Sequence, residues 1–221
     1  MTPTRLILAR HGQAHCNTQG IIGGLRGCIG LTDHGRHQAH KLATRLRADH
    51  AQTPITAAYT TPLRRARETA DIVANKLDLP VNIVDDLREP DYGDADGHPW
   101  ADIVTAFGRI PAHHPDRPIA PGAETWTAYL KRTTTALASL LAQHPGGTVL
   151  ILGHGETVTA AAHFFLDLGA KTRATTAFAV HYASITRWEQ QPLTWTQPDA
   201  GWRWTLLSHN DTTHLHPDQQ P

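Results

Sequence analysis

Two similar stretches, LILARHG at residues 6–12 and VLILGHG at residues 149–155, are the clearest indication of the fold. Each stretch contains four consecutive apolar residues, and a histidine follows two positions later. Short apolar runs of this kind are typical of strands that are buried on both faces of a parallel sheet. Ligands bind outside the carboxyl ends of such strands, so His11 and His154 are expected at one edge of the sheet if the two strands are neighbours.

Amphipathic segments of helix length separate these two strands from each other and from a weaker strand at Ala57–Thr60. We expect four main helices: one capped by Thr32, one that starts at Thr61 and Pro62, one over about residues 125–142, and one that Gly169 ends. This alternation of strands and helices predicts an α/β domain with a mainly parallel central sheet.

Two further segments have a different pattern. Residues 178–208 are rich in β-branched and aromatic residues around a turn at residues 198–201, which predicts a hairpin that completes the sheet. Its tryptophans are expected to pack within it: Trp188, Trp195, Trp202 and Trp204. Residues 98–122 are rich in proline, and we expect a long irregular lid or substrate loop there. The tail from about residue 216 is expected to fray.

The composition restricts the possible partners. A chain of 221 residues is expected to form one domain over residues 1–221. Its formal net charge is zero with neutral histidines, so nucleic acid is not an expected partner. The apolar run at residues 6–9 is too short for a signal peptide or a membrane span. Two cysteines cannot form a disulfide framework, which favours a reduced, cytoplasmic location. Most of the 16 histidines lack metal-ligand spacing, and we expect neither a metal nor a cofactor.

Positive charge is concentrated where the predicted strands end. Arg10 and His11 follow the first strand, and His154 follows the strand at residues 149–152. The weaker strand leads into Arg64 and Arg65 at the start of a helix. Guanidinium groups bind phosphate in a bidentate manner, and a helix N-terminus adds backbone N–H donors. The sequence therefore predicts a site for a phosphoryl group at this edge of the sheet.

The run Arg10-His11-Gly12-Gln13, with Asn17, resembles the RHG signature of the histidine phosphatase superfamily, also called the phosphoglycerate-mutase-like family. The resemblance continues in order through residues 30–39, 61–70, 87–97, 121–125, 152–155 and 210–215. One departure is Ala123, which stands where the family usually has the second glycine of a Gly-Gly-Glu pattern. The resemblance implies a three-layer α/β/α sandwich.

The resemblance also implies roles for individual residues. His11 would be the nucleophile, Glu89 the proton donor, and three residues would bind the phosphoryl group: Arg10, Arg65 and His154. The residues expected to contact the substrate are Asn17, Gln19, Ile22, Arg26, Glu124 and Gly155. Because His11 must attack as neutral imidazole, a backbone carbonyl is expected to hold its other ring nitrogen.

The function implied is that of a metal-independent phosphomonoesterase that acts on a small phosphorylated metabolite such as a sugar, nucleotide-like or polyol phosphate. Two alternatives stay open: a phosphoglycerate mutase-type isomerase and a catalytically inactive phosphate-binding module. The mutases carry a longer insertion before the glycine-glutamate motif, which argues against the first alternative. The expected partner is a small phosphate ester, and a homodimer is left open.

Overall fold

A mixed sheet of six strands places the two histidine-bearing strands at its centre. The computed structural model describes residues 2–197 and 200–216. The strands are β1 (Arg5–Arg10), β2 (Ala57–Thr60), β3 (Val81–Ile83), β4 (Thr148–Gly153), β5 (Ile185–Pro192) and β6 (Trp202–Asp211). They are arranged in the order β3-β2-β4-β1-β5-β6. The first four strands of this order are parallel to one another, and β5 is antiparallel to both of its neighbours, β1 and β6. The predicted parallel core and the C-terminal hairpin are confirmed.

Helices cover both faces of this sheet. They are α1 (His15–Thr18), α2 (Asp33–Gln52), α3 (Arg64–Leu77), α4 (Trp100–Phe107), α5 (Trp126–Gln143) and α6 (Gly155–Phe165). Ile7 and Ala9 of β1 pack in one core cluster with residues of α2 and α3, whereas Leu6 and Leu8 pack in a second cluster with residues of α5 and α6. This alternation along one strand follows from the twofold side-chain period of β-structure. The result is the expected three-layer α/β/α arrangement.

The register between β1 and β4 aligns their ends. Arg5 pairs with Thr148, and the pairing continues without interruption to Arg10 and Gly153. Every residue of β4 is buried, which explains its continuous apolar sequence. The residues that follow the two strands, His11 and His154, therefore emerge at the same edge of the sheet.

Two helix boundaries differ from the predicted ones. The second main helix, α3, begins at Arg64 instead of Thr61, because the Thr61 hydroxyl is hydrogen-bonded to His154 Nε2 at 2.7 Å and does not cap the helix. The fourth, α6, ends at Phe165, well before Gly169. Asp167 there has a φ of 51°, and the Leu168 amide donates to the His163 carbonyl, which closes the helix end.

The proline-rich segment is more regular than predicted. Residues 98–122 contain α4, which begins after Pro99 and ends at Gly108 with a φ of 69°. Proline fits the start of a helix, and glycine at a positive φ ends one, so the same residues that indicated a loop delimit this helix. The expectation of an irregular loop is therefore wrong for Trp100–Phe107.

Some expectations for the C-terminal part concern residues outside the described ranges. Within the hairpin, Trp188 is buried and Trp195, in the connection, is 90% exposed. The centre of the predicted turn, Pro198 and Asp199, and the tail from 217 onward lie outside the described residues. Throughout residues 2–197 and 200–216, each helix is too short or too polar to cross a lipid bilayer.

We predict that Leu150→Ala strongly destabilises the chain. Leu150 is completely buried in the middle of β4, so its truncation should lower the free energy of unfolding by about 2–5 kcal/mol. The matched control is Leu207→Ala on β6. The Leu207 side chain is 50% exposed, so this change should lower the free energy of unfolding by about 0.5 kcal/mol or less. Urea unfolding followed by tryptophan fluorescence gives both values. Equal losses for the two variants would contradict this account of the core.

Candidate active site

A cavity of about 320 Å³ lies at the carboxyl edge of the parallel strands. We call it the His11 cavity. Its walls contain six of the residues expected at the site: Arg10, His11, Asn17, Arg65, Glu89 and Gly155. The other residues of the walls are Cys16, Ile21, Gly23, Tyr92, Trp100, Glu156, Thr159, Phe178 and Val180. The three separate chain segments predicted to meet at this edge of the sheet do so.

The ring of His11 is held in one orientation. His11 is only 2% exposed, and its Nδ1–H donates to the Gly12 carbonyl at 2.6 Å. The proton on Nδ1 leaves Nε2 with a lone pair, and Nε2 accepts a hydrogen bond from Arg65 Nε at 2.9 Å. A side chain at position 12 would lie 2.2 Å from the Gly35 carbonyl oxygen, so only glycine allows this loop to pack against the first turn of α2.

The environment of His11 keeps its imidazole neutral. Burial lowers the pKa of His11 well below its usual value, and the positive charges of Arg65 and Arg10 lower it further. The hydrogen bond to the Gly12 carbonyl opposes this shift. A neutral ring with a lone pair on Nε2 is the form in which histidine is a nucleophile.

Two arginines flank His11. Arg65 is 3% exposed, and its Nη1 donates to the Gly23 carbonyl while its Nη2 lies 4.0 Å from Glu89 Oε1. Arg10 donates from Nη1 to the Val180 carbonyl, and its guanidinium lies 4.2 Å from the centre of the Tyr182 ring. The buried Arg10 Nε has no hydrogen-bond partner among the described residues. Both guanidinium groups therefore keep donor capacity for an anion.

His154 lies beside His11 but is not itself one of the residues that line the cavity. It is fully buried, and its ring centre lies 5.3 Å from that of His11. Its Nε2 is hydrogen-bonded to Thr61, whereas its Nδ1 has no partner in the described part of the chain and lies 3.7 Å from Glu89 Oε1. Burial, then the charge of Arg65, lowers the pKa of His154 well below its usual value. An unpartnered buried nitrogen beside a carboxylate that lines the cavity is a candidate ligand contact.

Glu89 is positioned by a tyrosine that the sequence analysis did not select. Tyr92 donates its hydroxyl hydrogen to Glu89 Oε2 at 2.6 Å. Burial, and next the charge of Glu89, raises the pKa of Tyr92 well above its usual value, so Tyr92 stays a donor. The other carboxylate oxygen, Glu89 Oε1, therefore lies near Arg65 and His154. Tyr92 belongs to the stretch 87–97 that resembles the family, but no sequence pattern there predicts its hydrogen bond to Glu89.

The residues expected to contact substrate divide into two groups. Asn17 and Gly155 line the cavity, and Asn17 Oδ1 accepts the Ala14 amide hydrogen, which leaves its NH₂ group free to donate. The other four do not line it: Gln19 is exposed, Ile22 packs in a separate apolar cluster, Arg26 donates to the Gly93 carbonyl, and Glu124 is paired with Arg132.

Several wall residues were not selected from the sequence. Glu156 and Thr159 project from the first turns of α6, directly after the Gly153-His154-Gly155 motif. Residues three positions apart lie on one face of a helix. A helix that starts directly after His154 would therefore have predicted that Glu156 and Thr159 face the same space. Trp100 lines the cavity, whereas Trp126 packs in the core with Tyr129 and Leu130.

Among the residues that the structure describes, no three histidine, cysteine, aspartate or glutamate side chains are grouped so that they could hold a metal ion. The charges that face the cavity are those of the arginines and of two glutamates, Glu89 and Glu156. The site as built can accept a small anion and leaves a carboxyl group beside it.

Comparison with known proteins identifies the family. A family model described as histidine phosphatase superfamily (branch 1) matches residues 6–201, and the chain belongs to this superfamily. It is 34% identical over 174 residues to Bifunctional protein Rv2228c of Mycobacterium tuberculosis, a match that covers 76% of this chain and 46% of that protein. The chain thus spans less than half the length of that relative.

Two further similarities cover nearly the whole chain. A protein of Arabidopsis thaliana named metal-independent phosphoserine phosphatase is 30% identical over 217 residues, which are 96% of this chain and 83% of that protein. The solved structure of Bacillus stearothermophilus YhfR is 26% identical, with a TM-score of 0.79 and coverage of 96% of this chain and 99% of that chain. Other relatives are named as phosphatases and as phosphoglycerate mutases.

We predict that His11 makes the stability of the chain depend on pH. An unfolded histidine has a pKa of about 6.5, whereas His11 is neutral in the folded state, so the unfolded chain takes up an additional proton as the pH falls. The contribution of His11 to the free energy of unfolding should be fully present above about pH 6.5. Below that pH, the free energy of unfolding should decrease by up to about 1.4 kcal/mol per pH unit because of this residue.

Urea unfolding at pH 7.5, 6.5 and 5.5 measures this dependence. His11→Gln should show a shallower decrease than the unmodified chain. His40→Gln is the control, because His40 is exposed on α2 in the folded chain as it is after unfolding. The same decrease in all three proteins would mean that His11 is already charged in the folded state.

Proposed function

We propose that the chain hydrolyses phosphate monoesters of small metabolites in two steps, through a phosphohistidine on His11 and without a metal ion. The observation that carries the proposal is the state of His11. Its Nδ1 is held by a backbone carbonyl, its Nε2 accepts a hydrogen bond from Arg65, and the residue lines the cavity together with Arg10 and Arg65. Such an arrangement offers a nucleophile and two anion-binding groups to the same small ligand.

In the first step, the phosphoryl group of the ester lies between the two arginines. When the Thr61 hydroxyl donates a hydrogen bond to His154 Nε2, the ring carries its proton on Nδ1. The Nδ1–H group then donates a hydrogen bond to a phosphoryl oxygen. Asn17 adds an N–H donor. Phosphoryl transfer passes through a loose transition state, in which positioned positive charge and donors around the equatorial oxygens supply most of the stabilisation.

Bond making and breaking in this step involve His11 and Glu89. The ester phosphoryl group takes over the Arg65 Nε–H, which frees the lone pair of His11 Nε2. This lone pair attacks phosphorus while the bond from phosphorus to the ester oxygen breaks. Glu89, in its acid form, gives its proton to the departing oxygen, and an alcohol leaves. The Tyr92 hydroxyl holds Glu89 Oε2, so Oε1 is the atom nearest to the arginine and histidine that bind the phosphoryl group.

In the second step, Glu89 acts as a base. It removes a proton from water, the water oxygen attacks the phosphorus of the phosphohistidine, and the nitrogen–phosphorus bond breaks. Inorganic phosphate and neutral His11 result. Arg10 and Arg65 supply the positive charge that a divalent ion would otherwise supply.

We predict that substrate turnover phosphorylates His11. A rapid quench with a phosphorus-labelled ester should trap a phosphoprotein that is stable in alkali and labile in acid, since the bond is a phosphoramidate. His11→Ala should not form it, whereas the exposed-site control His40→Gln should. An acid-stable, alkali-labile acyl phosphate would show that a carboxylate is the nucleophile.

The same experiment, run after exhaustive chelation, tests metal independence. Labelling and phosphate release should both persist. With 3-phosphoglycerate as the ester, the product should be inorganic phosphate, because the chain lacks the longer insertion that the mutases carry and water should therefore reach the phosphohistidine. Formation of 2-phosphoglycerate faster than phosphate would identify a mutase.

We predict that Glu89→Gln separates substrates by their leaving group. Glutamine keeps the size of the side chain but has no proton to transfer, so turnover of alkyl phosphates should fall by about a hundredfold to ten-thousandfold. Turnover of p-nitrophenyl phosphate should fall far less, because p-nitrophenolate leaves without a proton. The ratio of kcat/KM for the two esters is the measurement. An equal loss for both would mean that Glu89 binds or positions and does not transfer a proton.

A further inference from the structure

One wall of the His11 cavity carries acceptors that the proposed two-step reaction does not use. Glu156 and Thr159 of α6 line the cavity together. The Thr159 hydroxyl donates to the Gly155 carbonyl at 3.0 Å, so only its oxygen lone pairs are left for a ligand. Glu156 Oε2 has no hydrogen-bond partner within residues 2–197 and 200–216. This face of α6 therefore offers acceptors to whatever lies beside the phosphoryl group.

Glu156 is held in place from outside the cavity. Arg173 donates from Nη2 to Glu156 Oε1 at 3.0 Å. The Arg173 guanidinium in turn lies 4.1 Å from the centre of the Trp126 ring, and Trp126 is buried in the core. A carboxylate with one oxygen fixed by an ion pair presents its other oxygen in a defined direction.

The charge of Glu156 is sensitive to its surroundings. Burial raises the pKa of Glu156 to about 7, the charge of Glu89 adds to the rise, and Arg173 and Arg10 oppose it. A further negative charge brought into the cavity would meet the carboxylate of Glu156. A hydroxyl group would instead meet unoccupied acceptors.

We propose that Glu156 determines substrate specificity: it accepts a hydrogen bond from a hydroxyl group of the departing alcohol and repels carboxylate, which selects phosphate esters of uncharged polyols and sugars. The proposal rests on the proposed function, because it assigns the alcohol part of the ester to the same cavity. Trp100 lines that cavity with 39% of its surface exposed, and its ring offers an apolar face to the carbon skeleton of such an alcohol.

Two phosphates that differ in one group test the proposal. sn-Glycerol 3-phosphate carries a CH₂OH group where 3-phosphoglycerate carries a carboxylate. Their dissociation constants are measured by calorimetry on His11→Ala protein, which cannot form the phosphohistidine. Glycerol 3-phosphate should bind about tenfold more tightly than 3-phosphoglycerate at pH 8, the preference expected from a nearby, partly screened like charge.

The variant Glu156→Gln in the same background should reduce this preference to about twofold or less, because the amide has no charge with which to repel the carboxylate. Asp71→Asn is the matched control. It removes one negative charge from the exposed face of α3, outside the cavity, and should leave the preference unchanged. A preference that persists in Glu156→Gln, or that changes equally in Asp71→Asn, overturns the proposal.

A measurement with Glu156 intact covers the case in which Glu156→Gln does not fold. Between pH 6 and pH 8 the preference for glycerol 3-phosphate should increase as Glu156 ionises, since the phosphate groups shared by both ligands cancel in the ratio. A preference that is constant over this range, or tighter binding of 3-phosphoglycerate, overturns the proposal.

Failure of the proposed function gives a different result. A chain that releases no phosphate from any ester, p-nitrophenyl phosphate included, would refute hydrolysis. The dissociation constants would still report whether Glu156 discriminates between the two ligands.

Discussion

The in-register parallel pairing of β1 with β4 is the constraint on which the site depends. Both strands are buried on their two faces, so neither can shift by one residue without turning core side chains to the wrong layer. The pairing fixes the ends of the strands at the same height, and the residues that follow them, His11 and His154, come to lie with their ring centres 5.3 Å apart. A hydrophobic requirement of the core thereby determines the distance between two polar groups.

Burial has a second consequence at this edge. The two imidazoles and the guanidinium of Arg65 lie almost entirely out of water, where a charged imidazole is unfavourable beside a charged arginine. Arg65 keeps its charge, whereas His11 and His154 are neutral. A positively charged guanidinium and a neutral imidazole nitrogen therefore coexist beside one small cavity.

The cavity has two parts with different structural origins. Arg10 and His11 lie at the end of β1 and Arg65 lies in the first turn of α3, so the core fixes their positions. Glu156 and Thr159 belong to the first turns of α6, and Trp100 belongs to α4. Loops and helix starts can change without disturbing the core, so the second part is where members of one family are free to differ.

The sequence alone indicated three of the four parallel strands and the C-terminal hairpin, because apolar runs are local properties of the chain; it did not predict β3. Ordered motifs, which are also local, indicated the family and, through it, the three-layer fold. The charged residues at the strand ends were likewise readable from their positions. Only the tertiary structure decided that Tyr92 holds Glu89, that Thr61 contacts His154 and does not cap a helix, and that Glu156 lines the cavity while Glu124 does not. These contacts join residues from segments that pack together only in the fold, or depend on side-chain direction, and neither is encoded in sequence spacing.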